Sequence, residues 1–130
     1  ISVNPAVRSS LVFSSRISIL FGKPVIPTIT EFSIDHAKSR YADCSRAGNF
    51  ALTGDNDGVA CDKLIKGLYK INNDFEVPSM LNFGINKKNF EEELENMATD
   101  AENSGAPNLN PRVPSVNDMI DLYGQAWRAF

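Results

Sequence analysis

The 130-residue chain has one histidine and two cysteines, and it lacks any long apolar run. Cys44 and Cys61 are too few for a disulfide scaffold, and their spacing matches no metal motif. A metal or acid–base site on His36 would need partners at defined spacing, and the adjacent Asp35 does not face it on a helix. We therefore expect reduced thiols rather than a bridge, and His36 as a surface residue.

Blocks of one charge are also missing. Thirteen basic and sixteen acidic residues give a net charge of −3, which argues against a nucleic-acid partner or an acidic membrane surface. The Glu91–Glu93 cluster suits the solvated start of a helix. Leu11–Phe21 is too short and too polar to span a bilayer and lacks a cleavage site. We expect a soluble, cytoplasmic protein without a membrane partner.

The familiar nucleotide and calcium motifs fail when they are tested position by position. No GxGxxG and no phosphate loop occur in the chain. If Gly58 is placed sixth in a calcium loop, the first and twelfth ligands fall at Thr53 and Leu64, which cannot serve. Asp55–Gly58 is therefore predicted to be a helix-capping turn. Arg112 leaves two interpretations open: it clamps an anion or a substrate carboxylate, or it holds carbonyls at a helix end.

What the sequence does contain is helical periodicity, with 42% apolar residues, which is ordinary for one globular domain. Asp35 is predicted to cap a helix that runs through Ala47 and ends at Gly48. Asp57 is predicted to cap a helix from Gly58 to about Phe75, in which Gly67 marks the close approach of another helix. The residues expected to face inward are Ala37, Tyr41, Cys44, Ala47, Cys61, Leu64, Ile65, Leu68 and Ile71.

Helical periodicity continues through the second half of the chain. Pro78–Phe83 is predicted to form one turn closed by Gly84, and either Asn86 or Asn89 opens the next helix. Ser115, with Asp118 three residues on, is predicted to cap a terminal helix. The inward residues expected here are Phe90, Leu94, Met97, Ala98 and Ala101 in the first of these helices, and Val116, Met119, Ile120, Tyr123, Ala126, Trp127 and Phe130 in the terminal one.

These patterns predict an all-α fold with about four main helices. Residues 1–23 are expected to be irregular, and Val12–Phe21 fits either a strand or a short buried helix. Pro27 could open a helix at its first turn. A polar loop, Glu102–Pro114, leads to the terminal helix, whose Tyr123 and Trp127 are expected in the core rather than as a stacking platform. Spacing and chemistry alone assemble no active site, and we assign no catalytic, cofactor-binding or metal residue.

A family resemblance comes from five segments that occur in order. They are Ile26–Phe32, Arg40–Asp43, Val77–Gly84, Asn110–Arg112 and Ile120–Trp127. Together they resemble the C-terminal region of iron-containing (group III) alcohol dehydrogenases, whose fold is dehydroquinate synthase-like. The likeness covers about residues 25–130. It divides the chain into an unmatched segment, 1–23, and a helical region, 24–130.

The resemblance implies an oxidoreductase that interconverts alcohols and aldehydes by hydride transfer to NAD(P), with Fe²⁺ or another divalent metal polarising the substrate oxygen. In that family an Asp and three His hold the metal. The family also has a Pro-His-Gly segment ahead of the part that resembles Ile26–Phe32. Counting back from Pro27, the ligand histidine of that segment would fall at Ser18 and its glycine at Ile19, so the segment is missing here. His36 lies in a variable spacer and inherits no role.

We therefore expect a fragment of a dehydrogenase, with an aberrant start, that binds neither metal nor NAD(P) and is inactive alone. An alcohol or aldehyde substrate would belong only to a full-length parent. The alternative is a stand-alone helical interaction module that has lost the chemistry of the enzyme. In either case, helices of this type without the rest of the domain would expose apolar faces, through which the chain could self-associate.

Overall fold

The computed structural model describes residues 25–128, which form five α-helices, two short 3₁₀ helices and no β-strand. The prediction of an all-α fold is confirmed for this range. The predictions for residues 1–23 and for Phe130 lie outside the described residues. The elements are α1 (25–33), a 3₁₀ helix (Ile34–His36), α2 (Lys38–Ala47), α3 (Asp57–Asp74), α4 (Lys87–Asn103), a second 3₁₀ helix (Ala106–Leu109) and α5 (Val116–Arg128).

The predicted start of α2 is wrong. Asp35 lies in the 3₁₀ helix that follows α1, and α2 begins at Lys38 after Ala37, which makes no side-chain capping bond. Ala37 has φ −149° and ψ 39°, which breaks the helical path between the two elements. The inward face of α2 consequently shifts: Ala42 and Ser45 are fully buried, whereas Cys44, predicted to face inward, is exposed.

Small side chains form the core between α2 and α3. Its buried members are Ala42, Ala51, Ala60 and Cys61, with Ile34 and Tyr41 packed against them. The predicted close approach at Gly67 exists, but a loop side chain makes it. A Cβ at Gly67 would lie 2.1 Å from Cδ1 of Phe50, a residue in the α2–α3 connection. Glycine is needed here because the Phe50 ring occupies the place of a side chain.

Helix α3 starts one residue earlier than predicted. Asn56 is its N-cap and accepts a hydrogen bond from the Val59 amide at 3.0 Å, so Asp57 is the first helical residue rather than the cap. The predicted inward face is correct for Cys61 and Leu64 but wrong for Ile71, which is 39% exposed. Asn72 is buried in its place.

Left-handed residues lie at the ends of several elements. Asn49, Glu76, Gly84 and Gly105 have φ values of 59°, 49°, 90° and 73°. At Gly84, the Ile85 amide donates to the Met80 carbonyl and the Gly84 amide to the Leu81 carbonyl, which is the Schellman arrangement. Met80 and Ile85 are both buried. The turn predicted to close at Gly84 is therefore confirmed.

Larger side chains fill the core between α4 and α5. Its buried members are Met80, Ile85, Phe90 and Ala126, with Val25, Leu94, Met97, Tyr123 and Trp127 packed against them. The rings of Phe90 and Trp127 stack with their centroids 4.7 Å apart. Tyr123 and Trp127 are core residues as predicted. Leu122, which the predicted stripe omitted, is buried as well.

The capping predictions for these two helices are confirmed. Asn86, rather than Asn89, caps α4 by accepting from the Asn89 amide at 3.2 Å. Before α5, Ser115 Oγ accepts from the Asp118 amide at 3.1 Å, and Asp118 Oδ2 accepts from the Ser115 amide at 2.9 Å. This reciprocal pair is a capping box with an aspartate in the acidic position.

Among the helices with defined bounds, the closely packed pairs are α2 with α3 and α4 with α5. Helix α1 meets both pairs. Val25, at its first described residue, packs on the α4–α5 core, and Ile34, directly after its last residue, packs on the α2–α3 core. The described part of the chain is thus two helical hairpins joined by α1 and by the connection 75–86.

Candidate functional site

A groove of about 620 Å³ lies where α1, the start of α2 and α3 meet. Its walls carry both signs of charge together with apolar and aromatic surface. The acidic side chains are Glu31, Asp35 and Asp62, the basic ones are Lys38 and Lys66, and Cys61 and Tyr69 also line it. Four separate elements, α1, the 3₁₀ helix that follows it, α2 and α3, supply these residues, so no local motif in the sequence could have predicted the groove.

Two side chains in the groove, a cysteine and a tyrosine, are capable of nucleophilic or acid–base chemistry. Both are held in their protonated forms. The Cys61 thiol is buried and donates to the Lys38 carbonyl at 3.4 Å. Burial raises the pKa of Cys61 above its ordinary value, which suppresses the nucleophilic thiolate. Burial, and next the charge of Glu31, likewise raise the pKa of Tyr69. No histidine is among the described residues that line the groove.

The turn tested as a calcium loop is held by ion pairs between its own carboxylates and neighbouring cations. Asp55 pairs with Lys63 at 2.6 Å, and Asp57 pairs with Arg46 at 2.6 Å. The hydrogen bond from Lys63, followed by that from the Leu52 amide, lowers the pKa of Asp55. These carboxylates tie the loop to α2 and α3, and the prediction of a capping turn is confirmed in place of a calcium site.

Arg112 and Asn110 reach across the molecule to the end of α1. Arg112 Nη1 donates to the Phe32 carbonyl at 3.4 Å, and its guanidinium lies 3.8 Å from the centroid of the Phe32 ring. Asn110 Nδ2 donates to Ser33 Oγ at 2.7 Å and to the Arg112 carbonyl at 2.6 Å. We name Asn110, Arg112, Phe32 and Ser33 the clasp. Of the two interpretations of Arg112, the geometry supports a residue that holds a carbonyl at a helix end.

The remaining sequence candidates lie apart from one another. His36 is exposed on the 3₁₀ helix after α1. Cys44 is exposed and Cys61 is buried, and both are free thiols, as expected. Within residues 25–128, no group of three or more His, Cys, Asp or Glu side chains is placed to hold a metal ion. These residues therefore do not fit the iron centre that the resemblance implies.

A search of the described helices for membrane spans finds none that combines the length and apolarity needed to cross a bilayer. Comparison of the chain with protein-family models, with curated proteins and with solved structures returns no match.

Proposed function

We propose that residues 25–128 form the helical C-terminal region of an NAD(P)-linked alcohol dehydrogenase of the iron-containing family. Hydride transfer between alcohol and nicotinamide then belongs to the complete enzyme, and this region supplies helical packing. The iron would polarise the substrate oxygen in that enzyme, held by residues other than those described here. We propose the dehydroquinate synthase-like fold as part of the same hypothesis.

The observation that carries the proposal is the contact between two segments of the resemblance that lie far apart in the chain. Asn110 and Arg112, from the Asn-Pro-Arg segment, bind Ser33 and Phe32 at the end of the Ile26–Phe32 segment. Ser33 is fully buried. Two short patterns that matched by chance would have no reason to meet in space, so this contact supports the resemblance.

The other segments also occupy positions where their residue types are needed. Ala42, in the Arg-Tyr-Ala segment, is completely buried between α2 and α3, where a larger side chain would not fit. Gly84 closes the Val77–Gly84 segment at φ 90°, a conformation that favours glycine. These roles support a helical domain with structural requirements at the same positions as the family pattern.

The test is the mass of the native polypeptide in source cells, measured by top-down mass spectrometry after capture with an antibody to residues 116–128. We expect a species several times heavier than 14.3 kDa that oxidises primary alcohols with NAD⁺ or NADP⁺ and loses activity with a chelator. Capture in the presence of the competing peptide is the control. A species near 14.3 kDa without such activity would contradict the proposal.

A second candidate, a stand-alone helical interaction module, is favoured by large apolar side chains on the surface. Leu109 is 89% exposed and Phe75 76%; others are Leu52, Leu81, Phe83 and Val113. In the first proposal, the rest of the enzyme covers these side chains. In the second, another protein or a second copy covers them. The native mass measurement separates the two candidates, because only the module persists at the size of this chain.

A further inference from the structure

The clasp joins parts of the molecule that the helix–helix packing leaves almost separate. Closely packed helix pairs occur within each hairpin but not between the α2–α3 and α4–α5 hairpins. Within residues 25–128, α1 and the connection 75–86 are therefore the segments that join the two hairpins. Since Val25 of α1 packs on the α4–α5 core and Ile34, directly after α1, packs on the α2–α3 core, the attachment of α1 decides how firmly the hairpins are coupled.

The polar attachment of α1 to the second hairpin is concentrated in the clasp. Ser33 Oγ donates to the Ile29 carbonyl at 2.7 Å within α1 and accepts from Asn110. Arg112 donates to the Phe32 carbonyl and covers the Phe32 ring. Its other terminal nitrogen lies 3.8 Å from Asp118, a member of the capping box of α5. The clasp thus connects the last turn of α1 to the first turn of α5.

We propose that the clasp is a coupling device that makes the two hairpins unfold as one unit. When the clasp is intact, α1 cannot leave the second hairpin without losing the partly buried hydrogen bonds from Asn110 to Ser33 and from Arg112 to the Phe32 carbonyl, which costs more than the same bonds would on the surface. When it is removed, α1 keeps the apolar packing of Val25 on the α4–α5 core but loses its polar attachment to that hairpin, and the two hairpins open independently. This inference is independent of the proposed dehydrogenase function.

The chain contains one site-specific probe for each hairpin. Trp127 is the only tryptophan and stacks on Phe90 in the α4–α5 core, so its fluorescence reports that hairpin. Cys61 belongs to the α2–α3 core and is only 3% exposed on the wall of the groove, so its thiol reacts much faster with a bulky labelling reagent when that hairpin opens. The exposed Cys44 is replaced by Cys44→Ser in every sample, leaving Cys61 as the only thiol.

The experiment compares urea unfolding by Trp127 fluorescence with pulse labelling of Cys61 in the full chain. We expect the two midpoints to coincide in the Cys44→Ser background and to separate by about 0.5 M urea or more in Arg112→Met. Asn110→Ala is the milder second variant, and we expect the same separation there. The matched control is Arg40→Met, which removes an exposed arginine of α2 and should leave the midpoints together.

Coincident midpoints in both clasp variants would overturn the proposal, even if both variants were less stable, because a merely structural role shifts the two probes together. Separate midpoints already present in the Cys44→Ser background would overturn it as well. If Arg112→Met does not fold, Asn110→Ala decides, since it leaves the arginine in place. Separate midpoints of the two probes in the clasp variants, together with coincident midpoints in Arg40→Met, would support coupling by the clasp.

Discussion

Three of the four buried residues at the centre of the α2–α3 hairpin are alanines, whereas the α4–α5 hairpin is centred on Met80, Ile85 and Phe90. The first core is filled by small side chains. The second is stabilised by the burial of large side chains, with about 1.5–3 kcal/mol for each fully buried one. Larger side chains introduced into the first core should therefore destabilise the protein, and truncated side chains in the second core should destabilise it as well.

The two hairpins also differ in the residues that end their elements. In the first, left-handed positions are filled by Asn49 and Glu76, and in the second by Gly84 and Gly105. A non-glycine residue in this conformation costs about 1–2 kcal/mol, less for asparagine. The first hairpin thus carries backbone strain at its ends that the second avoids.

The largest effect is expected from truncation in the α4–α5 core. Phe90 is 2% exposed and stacks on Trp127, so Phe90→Ala should lower the free energy of unfolding by about 3–5 kcal/mol. Urea denaturation followed by circular dichroism measures it. Phe75→Ala, at a position 76% exposed, is the matched control and should change stability by less than about 0.5 kcal/mol. Equal effects of the two substitutions would contradict the assigned core.

Replacing a glycine by alanine should change the free energy of unfolding in opposite directions in the two hairpins. In α3, Gly67→Ala places a Cβ 2.1 Å from the Phe50 ring and should destabilise by about 1–3 kcal/mol. In α5, the nearest atom to a Cβ at Gly124 is Arg128 Nη1 at 3.7 Å, so Gly124→Ala should stabilise by up to about 1 kcal/mol. Thermal melts of both variants measure the difference, and a stabilising Gly67→Ala would show that Phe50 does not occupy that place.

Relief of backbone strain should stabilise the first hairpin by a smaller amount. Glu76 has φ 49° and is exposed, so Glu76→Gly should raise the free energy of unfolding by about 0.5–1 kcal/mol. Glu76→Ala is the control: it removes the same charge but keeps the Cβ, and it should bring no gain. Urea midpoints of the two variants give the comparison. A gain in Glu76→Ala as large as in Glu76→Gly would assign the effect to charge instead.

The smallest effect is expected from pH, and it acts on both hairpins. Hydrogen bonds from Lys63 lower the pKa of Asp55, and those from Ser115 lower the pKa of Asp118. A lowered folded-state pKa means that the stabilisation is present above the unfolded value and is lost as pH falls through the folded value. Stability should therefore be flat near neutral pH and decline modestly below about pH 4.

Substitution of these carboxylates should sharpen the same comparison. Asp118→Asn should lower the urea midpoint at neutral pH, and the gap to the unaltered chain should shrink in acid. Asp121→Asn, at an exposed position of α5, is the control and should keep a constant small difference. A gap for Asp118→Asn that stays the same from neutral to acidic pH would contradict an ionised Asp118 in the capping box.

Sequence patterns predicted the helices well where the signal was local. The Ser115–Asp118 capping box, the cap at Asn86 and the turn closed at Gly84 all depend on residues within five positions of one another. The predicted start of α2 is wrong because Asp35 has the residue type of a good N-cap but does not cap this helix. Asp35 lies instead in the 3₁₀ helix Ile34–His36, and Ile34 of that helix packs on the α2–α3 core.

The candidate site could not be predicted to the same degree. Glu31, Lys38 and Tyr69 line the groove from three different helices. The proximity of such distant residues cannot be inferred from a single sequence. For Arg112, the sequence left an anion clamp and a helix-end contact both open. The choice between them required the position of the Phe32 carbonyl, 80 residues earlier in the chain.

By itself, the sequence determined the helical class, the caps of α4 and α5 and the approximate faces of the longer helices, because these depend on periodicity and on hydrogen bonds within a few residues. The tertiary structure decided how Phe50 meets Gly67, how α1 joins the two hairpins and where Arg112 points. Those outcomes depend on which distant surfaces fit together in a densely packed core, and local propensity carries no information about that fit.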